Sequence, residues 1–551
     1  MRTHVVSNVV PPPAGLHGLR SDAPLSDAVR RWVEPVDPDG AAALDDLGAL
    51  AGSEEARAWG EDAERVTPVL RTHSPTGERL DEVAYHPSYH RLLTEAVGAG
   101  LTGEPWTRPD GSGAHARRAA GFLLWSQVDA GHLCPVSMTY AAVPALRAEP
   151  SVAGRWVPGL ASRTYEPQLA PASAKTGLTV GMGMTEKQGG SDVRANTTRA
   201  VASRGGPLAG GETYRLTGHK WFCSAPMSDG FLVLAQTGAG VGCFLVPRVL
   251  DDGTRNEIRL QRLKDKLGNR SNASSEIELD GTWALRVGEE GRGIRTIIDM
   301  VASTRLDCVV GSAATMRAAL VRAVHHARHR SAFGALLVDQ PLMRNVLADL
   351  ALESEAATLL ALRLAHAVDA GEGELSRLGV ALGKFWVCKR TAPMVAEALE
   401  CLGGNGYVEE NGLARLYREA PLNSIWEGSG NVNALDVVRA LTREPASLAA
   451  LGKELALARG HSTALDTAID ACDEAAAVAL GADGAWQARR VVERLAVTLQ
   501  AALLVRHAPG PVADAFVASR LGGSHGATFG TLGSEVGAEA VAVLLERALR
   551  D

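Results

Sequence analysis

The chain has 551 residues, of which 46% are hydrophobic and 22% are charged, and its formal net charge is −7. Such a composition is that of a folded globular protein with two to four structural units, and the acidic balance excludes a global attraction to nucleic acid. The seven cysteines are scattered, and neither a signal-peptide pattern nor an apolar run of 18 residues is present, so we expect a cytoplasmic protein without a membrane span.

The first predicted unit covers residues 1–177 and consists of an extended arm, over residues 1–40, followed by a helical domain. Residues 178–290 change character, because short apolar runs are separated by Gly, Pro, Asn and Asp, which predicts a small β domain.

Helical periodicity returns over residues 291–445 and predicts a bundle of three long helices, at 309–328, 342–370 and 375–402. Residues 446–551 form an alanine-rich helical extension. Helices and strands are thus segregated along the chain, which argues against a Rossmann domain, where they alternate. The predicted fold class is a multidomain α+β protein.

A glycine-rich segment at the start of the β domain is the first candidate binding element, and it reads GMGMTEKQGGSDV. Its small residues let main-chain N–H groups approach an anionic cofactor, and Thr185 and Ser191 add hydroxyl groups. Taken alone, a segment of this kind is most often an ordinary chain reversal. The flavin interpretation depends on the segments that accompany it.

Two further segments combine aromatic rings with polar groups, and they read KWFCS and WEGSGN. Trp221 could lie beside the flat ring system of a flavin. Glu427 follows an indole, which disfavours its ionised form and can poise it as a general base. A core aromatic and a surface glutamate are the commoner interpretations of each residue taken alone.

Two more features lie between and around the long helices. Arg330, with Gln340 ten residues later, follows a long helix and could serve as a helix C-terminal charge or as a phosphate clamp. The turn beginning Gly403-Gly404 ends the last long helix, and helix capping is its default interpretation. No complete set of metal ligands is evident.

Taken together, these segments resemble the acyl-CoA dehydrogenase family of flavoproteins. The matching segments occur in the family's order and are MTEKQGGSDV, KWFCS, RSAFG, GGNGY and WEGSGN. The resemblance implies an N-terminal helical domain, a central β-barrel domain and a helical bundle. It also implies bound FAD and a homotetramer in which each flavin lies at a subunit interface.

A narrower resemblance is to the AidB branch of this family. It rests on KQGGSDVRANTT, HKWFCSAP, RLKDKLGNRSNASSEIEL, PLNSIWEGSGN and the C-terminal helical extension. That branch is associated with the adaptive response to DNA alkylation. The resemblance implies weak α,β-dehydrogenation of acyl-CoA thioesters and non-specific association with double-stranded DNA.

The resemblance also assigns roles to individual residues. Glu427 matches the catalytic base, and Arg305 matches an arginine found near it. Arg330 and Gln340 are expected to reach the FAD of a neighbouring subunit. The full set of expected cofactor contacts is Met182, Thr185, Gly190, Ser191, Trp221, Phe222, Cys223, Arg330, Gln340, Gly403, Gly404, Ser429 and Asn431.

Three positions depart from the wider family's pattern, and at one of them, Glu400, the family usually has glutamine whereas the acidic residue suits the AidB branch. The other two leave alternatives open. The family more often has Thr or Ser at the position of Cys223, and Tyr is commoner at the position of Trp426, whose larger ring is expected to narrow or reshape the acyl channel. An ordinary acyl-CoA dehydrogenase with a branched or unusual substrate and no DNA role is one alternative. A flavin oxidase or monooxygenase acting on a small nitrogen compound is another.

Candidate DNA contacts are arginines clustered on one predicted helix of the extension and two arginines just before the extension. They are Arg439, Arg443, Arg489, Arg490 and Arg494. In residues 446–551, however, Asp and Glu outnumber Lys and Arg by twelve to nine, whereas phosphate binding requires local cation density. DNA binding is therefore expected to be non-specific and to depend on several copies in one tetramer.

Overall fold

The computed structural model describes residues 3–13 and 18–550. The chain divides into two compact units, each made of separated segments. Unit 1 comprises residues 1–54, 110–127 and 305–551, and unit 2 comprises residues 55–109 and 128–304. Within the part of the chain that is described, no helix has the length and apolar character needed to cross a bilayer.

The helices and strands are numbered in chain order. The helices are α1 Ala23–Trp32, α2 Pro38–Ala51, α3 Glu54–Arg65, α4 Pro87–Gly98, α5 Ala114–Ser126, α6 Leu133–Leu146, α7 Pro150–Leu160, α8 Gly293–His329, α9 Pro341–Asp369, α10 Gly373–Glu400, α11 Leu413–Glu419, α12 Gly430–Arg443, α13 Pro445–Ala456, α14 Thr463–Leu480, α15 Gly484–His507, α16 Gly510–Phe516 and α17 Ala538–Ala548. The strands are β1 Val69–His73, β2 Arg79–Ala84, β3 Val180–Gly183, β4 Arg199–Ala202, β5 Thr213–Ser224, β6 Gly230–Thr237, β7 Gly240–Pro247, β8 Ile258–Leu263, β9 Ser274–Val287, β10 Ser331–Ala332 and β11 Ala335–Leu336.

Unit 2 contains a barrel-like sheet of seven strands. Strands β4, β5, β9, β7 and β6 form a closed ring, since β6 pairs both with β7 and with β4. Strand β3 adds to β6 in parallel, and β8 adds to β9. A closed ring satisfies the backbone groups of its own strands and therefore holds their side chains in defined directions.

The barrel is filled by side chains that point inward from alternate strand positions. Its fully or almost fully buried members include Leu216, Cys223, Phe231, Val233, Phe244 and Ile277. This core sets which residues of β5 face outward, and it confirms the β-barrel domain that the resemblance implied.

Unit 1 is helical and contains the two long helices α9 and α10, the C-terminal part of α8 and the helices of residues 446–550. Helix α15 anchors the extension through apolar side chains that are almost completely buried, among them Val492, Leu495, Ala501 and Leu504. Helical bundle and extension both agree with the predicted fold class.

Two expectations for the N-terminal region were wrong. The helical pattern was expected to continue to residue 177, but β1 and β2 form an antiparallel hairpin. The hairpin forms because Leu70 and Val83 pack against the barrel core, a tertiary contact that overrides local preference. The loosely folded arm was expected to reach residue 40, but α1 and α2 begin at Ala23 and Pro38. Residues 1–2 and 14–17 of that arm lie outside the described residues.

Candidate active site

The loop between α11 and α12 carries Glu427 in a conformation that the surrounding helices hold in place. Glu427 has a φ of 58° and Gly428 a φ of 94°, both in the left-handed region. For a residue other than glycine this conformation costs about 1–3 kcal/mol. Arg305 Nε donates to the Glu427 carbonyl at 3.0 Å, and the buried Lys384 Nζ donates to the Gly428 carbonyl at 2.7 Å. These two cationic donors stabilise the strained turn.

Asp436 orients Arg305 from the other side. This buried carboxylate, two turns into α12, forms ion pairs with Arg305 at 2.7 Å, Arg377 at 3.0 Å and Arg439 at 2.5 Å. Burial by itself raises the pKa of Asp436, but the three guanidinium groups outweigh it and lower that pKa below its usual range. Asp436 therefore stays ionised and keeps Arg305 directed at the loop.

The two ends of the same loop are also held by cations. Lys389 Nζ lies 3.3 Å from Ser424 Oγ, and Arg489 Nε donates to Asn431 Oδ1 at 2.9 Å. Between them, the Trp426 indole N–H donates to the Asn423 side chain at 2.9 Å. Trp426 is therefore fixed in orientation, and the loop from 424 to 431 has a defined shape.

Two residues that were expected to reach the FAD of a neighbouring subunit lie in another part of unit 1. Arg330 and Gln340 flank the β10–β11 hairpin, where Arg330 Nη1 donates to the carbonyl of Asn8 at 2.5 Å and Gln340 to that of Ala332 at 2.7 Å. Arg330 thus contacts the N-terminal arm of its own chain. Gly403 and Gly404 are exposed in a 3₁₀ turn after α10, and Gly403 adopts a φ of 58°.

In unit 2, the glycine-rich loop after β3 is organised by a buried ion pair that was not among the sequence predictions. Glu186 and Lys220 have no exposed side-chain surface, and Lys220 Nζ lies 2.8 Å from Glu186 Oε1. Glu186 also accepts from the amides of Thr197 and Thr198 at 2.6 and 3.1 Å. Burial alone would raise the pKa of Glu186, but Lys220 and these donors lower it well below its usual range.

The loop is also joined to β5 by its main chain. The amide of Trp221 donates to the Thr185 carbonyl at 2.8 Å. A Cβ at Gly190 would lie 2.4 Å from the Thr185 hydroxyl oxygen, so a larger residue there would force the Thr185 side chain to move. Met182 lies in β3, and Ser191 is exposed at the end of the loop. The structure thus brings together Thr185, Gly190 and the KWFCS segment.

Strand β5 separates the residues of the KWFCS segment into two groups. Cys223 is fully buried in the barrel core, and burial raises the pKa of its thiol to about 12. Phe222 is 49% exposed, and Ser224, two residues along, is half-buried with its hydroxyl 2.9 Å from that of Ser274. Ser224 was not among the expected cofactor contacts, and unlike Cys223 it keeps part of its surface exposed, just after a register shift of β5 between Lys220 and Cys223.

Trp221 lies under a cluster of cations. Lys264 Nζ is 3.2 Å from the centroid of its ring, and the Arg262 guanidinium carbon is 5.7 Å away. Both cations also bond to Glu276 at 2.6 Å. A ring covered in this way is stabilised by cation–π attraction. Lys264 Nζ also lies 4.8 Å from the centroid of the Phe222 ring, but Phe222 keeps the larger exposed surface of the two aromatic residues.

The fold and these two groups of residues define a flavin-dependent oxidoreductase of the acyl-CoA dehydrogenase family, and comparison with known proteins shows that the chain belongs to it. Its residues 181–282 and 291–442 match the middle and C-terminal domains of acyl-CoA dehydrogenases. Residues 8–167 match the N-terminal domain of the adaptive response protein AidB. The family and the AidB resemblance that the motifs indicated are therefore confirmed, and with them FAD as the cofactor.

Two relatives are similar over most of the chain. The chain is 46% identical over 473 residues to the putative acyl-CoA dehydrogenase AidB of Escherichia coli K12, covering 85% of this chain and 86% of that protein. It is 31% identical over 538 residues to acyl-CoA dehydrogenase family member 11 of Caenorhabditis elegans, covering 90% and 84%. The crystal structure of C. elegans ACDH-11 in complex with C11-CoA superposes with a TM-score of 0.83 at 27% identity, covering 100% of this chain and 93% of that one.

Proposed function

We propose that this protein oxidises an acyl-CoA thioester between its α and β carbons, with Glu427 as the base. The Glu427 carboxylate accepts the α-proton, the remaining electron pair forms the α,β double bond, and hydride leaves the β-carbon. FAD, when bound, supplies the acceptor for that hydride. The observation that carries the proposal is the strained Glu427–Gly428 turn, which Arg305 and Lys384 hold in place.

Arg305 is assigned a positioning role in this reaction. Its Nε donates to the main chain of Glu427, and its Nη1 is paired with Asp436. The guanidinium therefore sets where the base lies. Its charge is already balanced by the carboxylate of Asp436, which fits orientation better than proton transfer.

The residues of unit 2 fit a flavin. Phe222 presents a half-exposed ring, Ser224 presents a partly exposed hydroxyl two residues along, and the loop of Thr185 and Gly190 offers small residues and main-chain donors. The Cys223 thiol lies in the core, so only its main chain can contribute. We propose that Ser224 supplies the hydroxyl contact that the family pattern places on this strand. Ser429 and Asn431 of unit 1 stay proposed cofactor contacts.

The substrate is proposed to be a medium-length or branched acyl-CoA. One solved relative, C. elegans ACDH-11, was crystallised with C11-CoA. In this chain the Trp426 ring is fixed by its hydrogen bond to Asn423, and an indole takes more room than the tyrosine ring that is commoner at this position in the family. A panel of straight and branched acyl-CoAs distinguishes weak general activity from the specific activity of an ordinary dehydrogenase.

The test is anaerobic reduction of the purified flavoprotein by that panel, followed at the flavin absorbance band. Glu427→Gln is expected to slow the reduction by about 10²–10⁴-fold while FAD stays bound. Glu410→Gln, an exposed glutamate in the turn before α11, is the matched control and is expected to behave like the wild type. Equal rates for Glu427→Gln and the wild type would show that another group takes the proton.

A homotetramer is proposed on the basis of exposed apolar side chains in unit 1. Phe333, at the tip of the β10–β11 hairpin, is 99% exposed, and Leu342 and Tyr407 are each 83% exposed. A contiguous exposed apolar patch is typical of a surface that a partner covers, and we propose that these side chains belong to one. Light scattering of the holoprotein tests the proposal, and a monomer at micromolar concentration would contradict it.

A second proposed function is non-specific binding of double-stranded DNA, as part of a response to DNA alkylation. Its support is that Arg443, Arg490 and Arg494 are exposed and form no hydrogen bond or ion pair with the described residues. Arg439 and Arg489, by contrast, bond to Asp436 and Asn431. Three free arginines per subunit, repeated in an oligomer, could contact phosphates along a duplex.

Fluorescence anisotropy with two unrelated duplexes tests this second function. Affinity is expected to be equal for both and to fall more than ten-fold between about 50 and 200 mM salt. The double variant Arg490→Ala, Arg494→Ala is expected to flatten the salt dependence. No binding by the wild type at the low-salt end would remove the DNA proposal and leave the dehydrogenase proposal intact.

A further inference from the structure

Four cationic side chains hold the loop from Ser424 to Asn431, and one of them comes from a part of the chain outside the helical bundle. Arg305, Lys384 and Lys389 belong to α8 and α10. The fourth is Arg489 of α15, in the C-terminal extension, whose Nε donates to Asn431 Oδ1 at 2.9 Å. The extension therefore reaches the loop that carries Glu427.

The contact falls at the first turn of helix α12, where the N-cap residue gives no side-chain hydrogen bond. Ser429 occupies the N-cap position, but its side chain makes no capping hydrogen bond. The first turn of an uncapped helix frays easily, because its N–H groups have no partner inside the helix. Asn431 is the second residue of α12 and lies four residues after Glu427. A hydrogen bond to its side chain therefore fixes the end of the strained turn.

Arg489 is itself presented by a rigid element. Farther along α15, Leu495 and Leu504 are completely buried, and Gln500 accepts from the Trp386 indole of α10 at 3.0 Å. Lys389 of α10 lies near enough to Arg489 that its pKa is lowered, chiefly by burial and then by the guanidinium charge. These contacts attach α15 to α10 and therefore fix the position of the main chain from which the Arg489 side chain extends.

We propose that Arg489 is a positioning residue for the Glu427 loop, and that the C-terminal extension thereby contributes to the proposed active site. Arg489 acts through Asn431 and does not touch the reacting atoms. The idea rests on the proposed function for its catalytic consequence, but the structural link between extension and loop can be tested without any substrate.

Hydrogen exchange measured by mass spectrometry on the full-length holoprotein tests the link directly. Arg489→Ala is expected to speed amide exchange in peptides covering residues 424–433 by about five-fold. Asn431→Ala is expected to speed the same exchange, and adding Arg489→Ala to it is expected to have no further effect, because the bond between the two side chains is then already absent. Arg489→Lys, which keeps a donor, is expected to restore much of the protection.

Lys453→Ala is the matched control, because it removes an exposed cation of the same extension, on α13. It is expected to leave exchange at residues 424–433 unchanged. The proposal would be overturned if Arg489→Ala exchanged amide hydrogens at the wild-type rate. It would also be overturned if Arg489→Ala and Lys453→Ala had equal effects on that exchange.

The catalytic consequence is read separately. In anaerobic reduction by an acyl-CoA that reduces the wild type, Arg489→Ala is expected to lower the limiting rate about five-fold with little change in the substrate concentration at half-saturation. A changed exchange pattern with no reduction by any acyl-CoA would reject the proposed dehydrogenase function and keep the structural link. Faster exchange with an unchanged reduction rate would overturn the positioning role.

Discussion

Replacing Lys220 with methionine tests the buried ion pair beneath the glycine-rich loop. Both side chains of the Lys220–Glu186 pair are fully buried, and the Nζ–Oε1 distance is 2.8 Å. Lys220 Nζ also donates to the Leu234 carbonyl at 2.7 Å. Methionine fills a similar volume but leaves the Glu186 carboxylate without a counter-ion.

The expected cost follows from what Glu186 keeps. Removing one partner of a buried pair costs about 3–5 kcal/mol. Glu186 retains hydrogen bonds from Gln188, Thr197 and Thr198, so we expect the lower end, about 3 kcal/mol. For a unit of more than 200 residues this corresponds to a fall in melting temperature of roughly 6–12 °C.

Scanning calorimetry at pH 7 measures the change, with flavin fluorescence to report release of FAD from the loop. Lys187→Met is the control, since Lys187 is exposed on the same loop and its replacement is expected to cost within about 0.5 kcal/mol. A melting temperature for Lys220→Met within 2 °C of wild type would refute the idea that this pair organises the loop.

Three further outcomes are expected. Ser224→Ala should weaken FAD binding to the apoprotein about five-fold in a fluorescence titration, whereas Cys223→Ala should leave FAD affinity unchanged. Asp436→Asn should make the protein without bound FAD unfold faster, and it should slow flavin reduction. Both effects are expected because Arg305 loses the Asp436 carboxylate that orients it. For His507, burial first and then nearby arginines lower the pKa to about 4. Since the unfolded chain binds a proton more readily, stability should be lost as pH falls from about 6.5 to about 4. His507→Gln should flatten urea midpoints across that window.

Several features follow from the sequence by itself because their cause is local. The long helices α9 and α10 were predicted within one or two residues, since apolar residues repeat at helical spacing over more than 25 residues. The glycines of the loop after β3 and of the WEGSGN segment were also identified, because their role likewise has a local cause. Gly190 and Gly428 meet demands of close approach and left-handed backbone that the residue type itself reveals.

Only the tertiary structure decided which face of each element is exposed and which distant residues meet. Whether Cys223 or Ser224 faces outward depends on a closed barrel, whose closure is set by pairings between distant strands. Arg330 meets Asn8, more than 300 residues away, and Arg489 meets Asn431 across 58 residues. No local pattern encodes such pairs, because they arise only when buried faces elsewhere bring the two segments together.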